Sequence, residues 1–292
     1  MEHLPDDVLA MVMQYLGVHD LLACRLVSKR VGALALHPDA WRHRRLGLGS
    51  ARDFDINFDD NRCLCPVLRL APCVAVLARY LTRRHLPCRL ADDSMRCAAE
   101  EIWINVRKDI SSDVFELIRR QGELGRLKVI SMNLIGDAPV AAAMEAVLSV
   151  KGLKGLKVMT IRLPGRELDE IPAMATPSLH TLKHFDFRLG PESERFVNSI
   201  LSEHATTIEK VALDGYLSSD LSLTSTAPLL ATMTRLRELR CPALPGLEAV
   251  AACESLRTLR LSVCSETLSY DEYKLSHKHD SPILVLFVTA SH

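Results

Sequence analysis

Apolar residues recur at helical spacing from the start of the chain. Val8, Leu9, Val12, Met13 and Leu16 fall on one face of a first predicted helix. Pro5 suits a first-turn position, Asp6 and Asp7 complement the positive helix start, and Gly17 suits a left-handed exit. Asp20 is expected to cap a second helix carrying Leu21, Leu22, Cys24 and Leu26. Val27, Val31 and Leu34 continue its apolar coverage until His37-Pro38 interrupts it. Asp39 restarts a short segment containing Trp41. This small helical module has more apolar surface than it can bury alone.

A different pattern follows. Seven segments fit an apolar-x-x-apolar-x-apolar template, starting at Ala99, Leu127, Leu156, Leu182, Ile208, Leu236 and Leu256. Their starts lie 28, 29, 26, 26, 28 and 20 residues apart. Between them, helical spacing returns: Val114, Leu117 and Ile118 follow a Ser-Ser-Asp start, and Phe196, Val197, Ile200 and Leu201 recur in the same way. The stretches beginning "APVAAAMEAV" and "TAPLLATMT" read likewise. Strand and helix therefore alternate, which predicts a parallel sheet and an α/β repeat architecture. "ILVLFV" from Ile283 fits the template once more, 27 residues after Leu256. Between module and repeats, the first part of residues 47–94 lacks periodicity and reads as a linker. "PVLRLAPCVAVLARYL" is apolar enough for a strand and helix that cap the repeats.

Composition narrows the function. The 292 residues carry 36 basic and 36 acidic side chains, so no net field draws the chain to nucleic acid or to an anionic membrane. The two basic runs, Arg42 to Arg45 and Arg83 to His85, are too short for a continuous nucleic-acid footprint. No apolar stretch reaches the roughly 20 residues of a membrane helix, and the acidic start does not resemble a secretory signal. A soluble, cytoplasmic or nuclear chain is expected. Nine cysteines then read as reduced, buried side chains. Cys63, Cys65, Cys73, Cys88 and Cys97 lack the paired spacing of a zinc site, so no metal or other cofactor is expected. Dinucleotide, Walker, HExxH and GxSxG motifs are missing, and "SHKHD" at Ser276 to Asp280 reads as a solvated connection, so no catalytic residue is assigned.

Leu4-Pro5, Val8-Leu9, Val12, Tyr15-Leu16, Asp20-Leu21-Leu22, Cys24-Arg25, Val27-Ser28, Leu34 and Trp41 together resemble an F-box, with residues 1–46 as its extent. One departure is Val31, where many F-boxes carry an aromatic residue. Residues 95–292 resemble the degenerate leucine-rich repeats of the F-box/leucine-rich-repeat family. The Asn or Cys usual at the ninth repeat position is clear only at Cys264. This resemblance implies a small helical F-box followed by a curved solenoid with a parallel inner sheet. It also implies a non-catalytic substrate receptor of a Skp-cullin-F-box ubiquitin ligase. Leu4, Pro5, Val8, Leu9, Val12, Leu16, Leu21, Leu22 and Val27 would bind the Skp adaptor, and through it a cullin-RING ligase. The alternative is a repeat scaffold without a ligase role. If the strand register is right, Arg162, Arg188, Arg240 and Arg260 face the concave side and receive an acidic or phosphorylated segment of an unidentified target.

Overall fold

A computed structural model describes residues 4–48, 56–58, 65–79, 94–107, 111–136, 138–161, 181–188, 194–214, 224–262 and 286–289. The chain divides into two compact units, Met1–Leu153 and Lys154–His292.

The first unit opens with four short helices: α1 (Asp6–Met13), α2 (Val18–Cys24), α3 (Lys29–Ala35) and α4 (Pro38–Trp41). Two expectations need correcting. Gly17 is not a left-handed exit but the N-cap of α2, with φ −62° and ψ 157°. Asp20 therefore lies inside the first turn of α2, where its charge still suits the helix start. The expected second helix is in fact two, because Ser28 ends the apolar run by capping α3, its hydroxyl accepting from the Val31 amide at 3.2 Å. α3 then folds back so closely on α2 that a Cβ at Gly32 would lie 2.9 Å from the Arg25 carbonyl oxygen. Trp41 is fully buried, and its indole Nε1 donates to the Ala35 carbonyl at 2.7 Å, fixing α4 against the end of α3.

No linker separates these helices from the sheet. β1 (Arg45–Leu48) follows α4 directly, and the Arg44 carbonyl accepts from the Ala75 and Val76 amides at 2.8 and 3.2 Å. β1 lies between β2 (Ile56–Phe58) and β3 (Cys73–Arg79), where the sequence pattern predicts a linker. Strands of four and three residues offer too few alternating positions to register as periodic. A helix, α5 (Cys65–Leu70), precedes β3, whereas the pattern predicts the strand first. The expected helix after that strand falls outside the described residues.

β4 (Ala98–Val106), α6 (Ser111–Glu123), β5 (Val129–Ile135) and α7 (Val140–Leu148) complete the unit. Its strands run in the order β2-β1-β3-β4-β5, and all are parallel. Leu46, Leu77, Ile102 and Ile130 align across the strands, and all four are buried. Gln121 of α6 is buried and bridges back to the start of β4. Its Oε1 accepts from the Ala99 amide at 2.7 Å and its Nε2 donates to the Cys97 carbonyl at 2.8 Å, so a buried amide is satisfied on both sides.

The second unit repeats the alternation: β6 (Gly155–Ile161), β7 (His184–Arg188), α8 (Glu194–Glu203), β8 (Lys210–Asp214), α9 (Thr226–Ala231), β9 (Glu238–Pro242), a 3₁₀ turn (Leu247–Ala252), β10 (Thr258–Ser262) and β11 (Leu286–Thr289). β6 to β10 are parallel neighbours in chain order. Phe196 of α8 stacks on Phe187 of β7, ring centroids 5.3 Å apart, and both rings are buried, so the helix layer seals one sheet face.

All seven template segments lie on parallel strands, but one register is displaced. Leu156 pairs with Phe185, and Leu153, Leu156 and Val158 are all buried while Met159 is half-exposed. The third template therefore starts at Leu153, three residues before Leu156, and the intervals become 28, 26, 29, 26, 28 and 20. "LKGLKVMTI" fits both registers because its apolar residues recur every two or three positions; only burial separates them. The last template match is not a further parallel repeat. β11 runs antiparallel to β10, pairing Leu259 with Val288, and the apolar pattern of a strand carries no information about its direction.

Candidate partner-binding surfaces

The opening helices have a core of their own. Leu9, Ala10 and Met13 of α1 and Val18 and Leu21 of α2 are buried. Arg30 of α3 clasps the start of α1, its Nε 2.8 Å from Asp6 Oδ1 and its Nη2 donating to the Leu4 carbonyl. Buried Arg44 closes the other end. Its Nη2 donates to the carbonyls of Met13 at 3.1 Å, Gln14 at 2.7 Å and Leu16, at and beyond the C-terminus of α1, where the helix dipole favours a positive charge. The basic run Arg42 to Arg45 is thus engaged internally. Arg42 pairs with Asp39 at 3.1 Å, and Arg45 stacks over the Trp103 ring at 4.9 Å. Arg83 to His85 lie outside the described residues.

A second apolar stripe remains on the opposite side of α1. Leu4, Val8, Met11, Val12 and Tyr15 follow one another at three- and four-residue steps; Met11 and Val12 are half-exposed and Tyr15 is 89% exposed. Past the end of α2, Leu26 and Val27 are 80% and 72% exposed. A helix apolar on both faces is normally enclosed on both.

The candidate adaptor-binding residues therefore divide. Leu4, Pro5, Val12 and Val27 are exposed, and Val8, Leu16 and Leu22 are half-buried, while Leu9 and Leu21 point into the module's own core. Met11, Tyr15 and Leu26 are missing from that set although they are among the most exposed apolar side chains. The second stripe along α1 is the signal that identifies Met11 and Tyr15; Leu26 has none beyond its place beside Val27.

The other surface is the sheet face turned away from the helices. Parallel sheets are usually covered on both faces, yet β5 alternates strictly between buried and half-exposed residues, so here one face is left open. In the second unit the register sets charges side by side in rows across the strands. One row is Lys154, Lys183, Glu209, Arg237 and Arg257; another is Lys157, Asp186, Ala212, Arg240 and Arg260. Lys183 Nζ is 2.7 Å from Glu209, Lys210 Nζ 2.7 Å from Glu238, Lys157 Nζ 3.2 Å from Asp186, and Arg240 Nε 3.1 Å from Asp214. The Lys183 ammonium holds the Glu209 carboxyl below its ordinary range, and Lys210 does the same to Glu238, with the Arg260 charge adding to it.

Of the four candidate arginines, Arg240 and Arg260 are direct neighbours. Arg188 lies at the end of β7, opposite Asp214. Arg162 lies outside the described residues; in the described part of the preceding strand the corrected register puts Lys157 and Met159 in the outward positions. Arg237 and Arg257, which stand beside Arg240 and Arg260, are the residues the candidate set omits.

Of the described cysteines, Cys24 and Cys65 are half-buried. Cys73, Cys97, Cys241 and Cys253 are buried, and burial pushes the Cys97 and Cys241 thiols up to about 12, so both stay protonated at neutral pH. Among the described residues, no three His, Cys, Asp or Glu side chains gather at metal-binding distance, and no helix is long and apolar enough to cross a membrane. Cys63, Cys88, Cys264 and the Ser276 to Asp280 segment lie outside the described residues. No curated protein matches this chain. Residues 1–46, the stretch that ends where α4 passes into β1, match the family model described as F-box-like, and the opening helices are accordingly an F-box-like domain.

Proposed function

We propose that this chain is the substrate-recognition subunit of a Skp-cullin-F-box ubiquitin ligase. In this reading the opening helices dock on the Skp adaptor, the strand-and-helix repeats hold a target protein, and other subunits do the chemistry. The observation that carries it is the coincidence of the F-box-like match over residues 1–46 with a second apolar face on helices that already possess a core. Such a surplus face fits recognition by laying a helix against an apolar groove. The repeats support a leucine-rich-repeat reading, since seven template strands recur at 20 to 29 residues and all seven pair in parallel with neighbours within their units. The receptor contributes proximity: a target lysine held near a charged transfer enzyme reacts as if intramolecularly. The direct passage of α4 into β1, with no linker, suits that task by limiting motion between the docking helices and the first strands. The place of action is the cytoplasm, the nucleus or both.

The test is capture of the Skp adaptor by the full chain. Wild type is expected to copurify with adaptor and cullin, and a Val12→Asp/Val27→Asp variant to lose both while keeping its circular dichroism spectrum. Absence of adaptor from the wild-type complex would leave the alternative, a repeat scaffold with no ligase role.

A further inference from the structure

We infer that the β9–β10 end of the second unit's open sheet face binds a target through a segment bearing negative groups, acidic or phosphorylated, about three residues apart. The inference rests on the receptor reading above for the word target, and on the charge geometry for everything else.

Although the chain as a whole is neutral, the charge is not evenly spread. The described rows of this face, with Arg188, Lys210, Asp214 and Glu238 included, hold nine lysines and arginines against four aspartates and glutamates. Each of the four acids already stands within 3.2 Å of one base. Among the described residues of the face, bases therefore outnumber acids.

The excess is concentrated and ordered. Arg240 and Arg260 are register neighbours on parallel strands, and the Arg257 amide donates to the Arg237 carbonyl at 2.8 Å, so a second arginine pair lies three residues before the first. All four side chains are exposed. Arg240 already shares Asp214, and like charges set side by side on a sheet favour a further anion beside them. Neighbouring strands lie about 4.8 Å apart and three residues advance a strand about 10 Å. Two guanidinium pairs at that separation match a segment in the polyproline II conformation, which returns every third residue to the same face after about 9 Å. Arginine presents a planar fork of donors to carboxylate or phosphate, so two adjacent forks can surround one such group.

A polyanionic nucleic acid is the less fitting occupant. Its single-stranded form is normally held by aromatic stacking as well as by charge. Phe185 and Phe187, the phenylalanines on the described part of β7 to β10, are buried beneath the sheet, which leaves the imidazole of His184 as the exposed ring there. The four interleaved carboxylates would also repel a continuous phosphate backbone, whereas a peptide with spaced charges avoids them.

The experiment uses the full chain and a fluorescein-labelled 12-residue Gly/Ser peptide carrying two phosphoserines three residues apart. It measures fluorescence anisotropy at two salt concentrations. The expected result is saturable binding that weakens with salt, with a Kd at least tenfold higher for Arg257→Glu/Arg260→Glu and for Arg237→Glu/Arg240→Glu. Arg119→Glu/Lys151→Glu, which makes the same charge change in the first unit, is expected to bind as wild type does. Loss of equal size in that control would overturn the inference by reducing it to net charge. Tighter binding of a 12-nucleotide single-stranded RNA than of the peptide would overturn it in favour of nucleic acid. A tenfold gain on Asp271→Asn/Glu272→Gln would overturn it by assigning the face to the chain's own acidic segment. Adaptor capture is measured on the same preparations, so that failure of peptide binding with adaptor retained sinks this inference alone, and the converse sinks the receptor reading alone.

Discussion

The division of the opening helices into an inner and an outer apolar set can be tested by separating folding from binding. Leu21 is 1% exposed and packs inside the module, while Leu26 and Val27, a few residues later, are 80% and 72% exposed. Leu21→Ala removes buried methyl groups and leaves a cavity, at a cost of about 2–5 kcal/mol. At this domain size that corresponds to a Tm lower by on the order of 5–15 °C. Leu26→Ala/Val27→Ala removes atoms that touch little in the free chain, so Tm should hold within about 2 °C. On the adaptor the same atoms would be covered. Full burial of such a side chain is worth about 1.5–3 kcal/mol. Scaled by exposed fraction and by the Cβ that alanine retains, the pair is worth about 2–3 kcal/mol, or roughly a 30- to 150-fold rise in Kd. Thermal melts followed by circular dichroism and calorimetric titration with purified Skp adaptor measure the two quantities independently. The reasoning is refuted if the double variant melts as early as Leu21→Ala, or if it binds adaptor with unchanged affinity.

Two further outcomes are expected. The corrected third register predicts that Leu153→Ala lowers thermal stability by the cost of a core truncation, about 2–5 kcal/mol, while Met159→Ala costs well under half of that; the opposite order in denaturant melts would restore the start at Leu156. Lys183→Ala should return the Glu209 carboxyl towards its ordinary range, read by carboxyl NMR titration. Because the folded-state value is depressed, the pair's contribution is present above the ordinary carboxylate range and fades as pH falls through the folded value. Wild type and variant should therefore converge in stability in acid and differ, slightly, at neutral pH; a difference that grows in acid would show the sign to be wrong.

Much of this molecule is written in local pattern. The α1 stripe, the seven template strands and the helices between β4 and β5 and between β7 and β8 are legible because burial on one face forces a period of 3.6 or 2 on the apolar positions, and that period survives without any knowledge of neighbours. The ends of elements are less legible. Gly17 and Ser28 could each serve in more than one capping role, and the choice fell to the close approach of α3 to α2 at Gly32, a contact between segments that no local rule contains. Register had the same origin: Leu153 and Leu156 are equally good starts until the pairing of Leu156 with Phe185 buries one set and exposes Met159.

Direction and partition were decided by tertiary structure alone. "ILVLFV" has the apolar rhythm of its predecessors, but whether a strand joins its neighbour parallel or antiparallel depends on how the chain returns to the sheet edge, and it returns antiparallel. In the opening module, the sequence marks Leu9, Val12, Leu21 and Val27 alike as apolar. Folding turns Leu9 and Leu21 into the module's own core and leaves Val12 and Val27 outside, because a helix bundle this small has room inside for one stripe per helix. On the sheet, too, the arginines are scattered through the sequence from 237 to 260, and only the parallel pairing of β9 with β10 brings them into facing pairs. Sequence thus determined which segments form helices and strands, since that follows from each segment's own periodicity. The fold determined which apolar and charged side chains remain at the surface together, since that depends on which distant segments pack against one another.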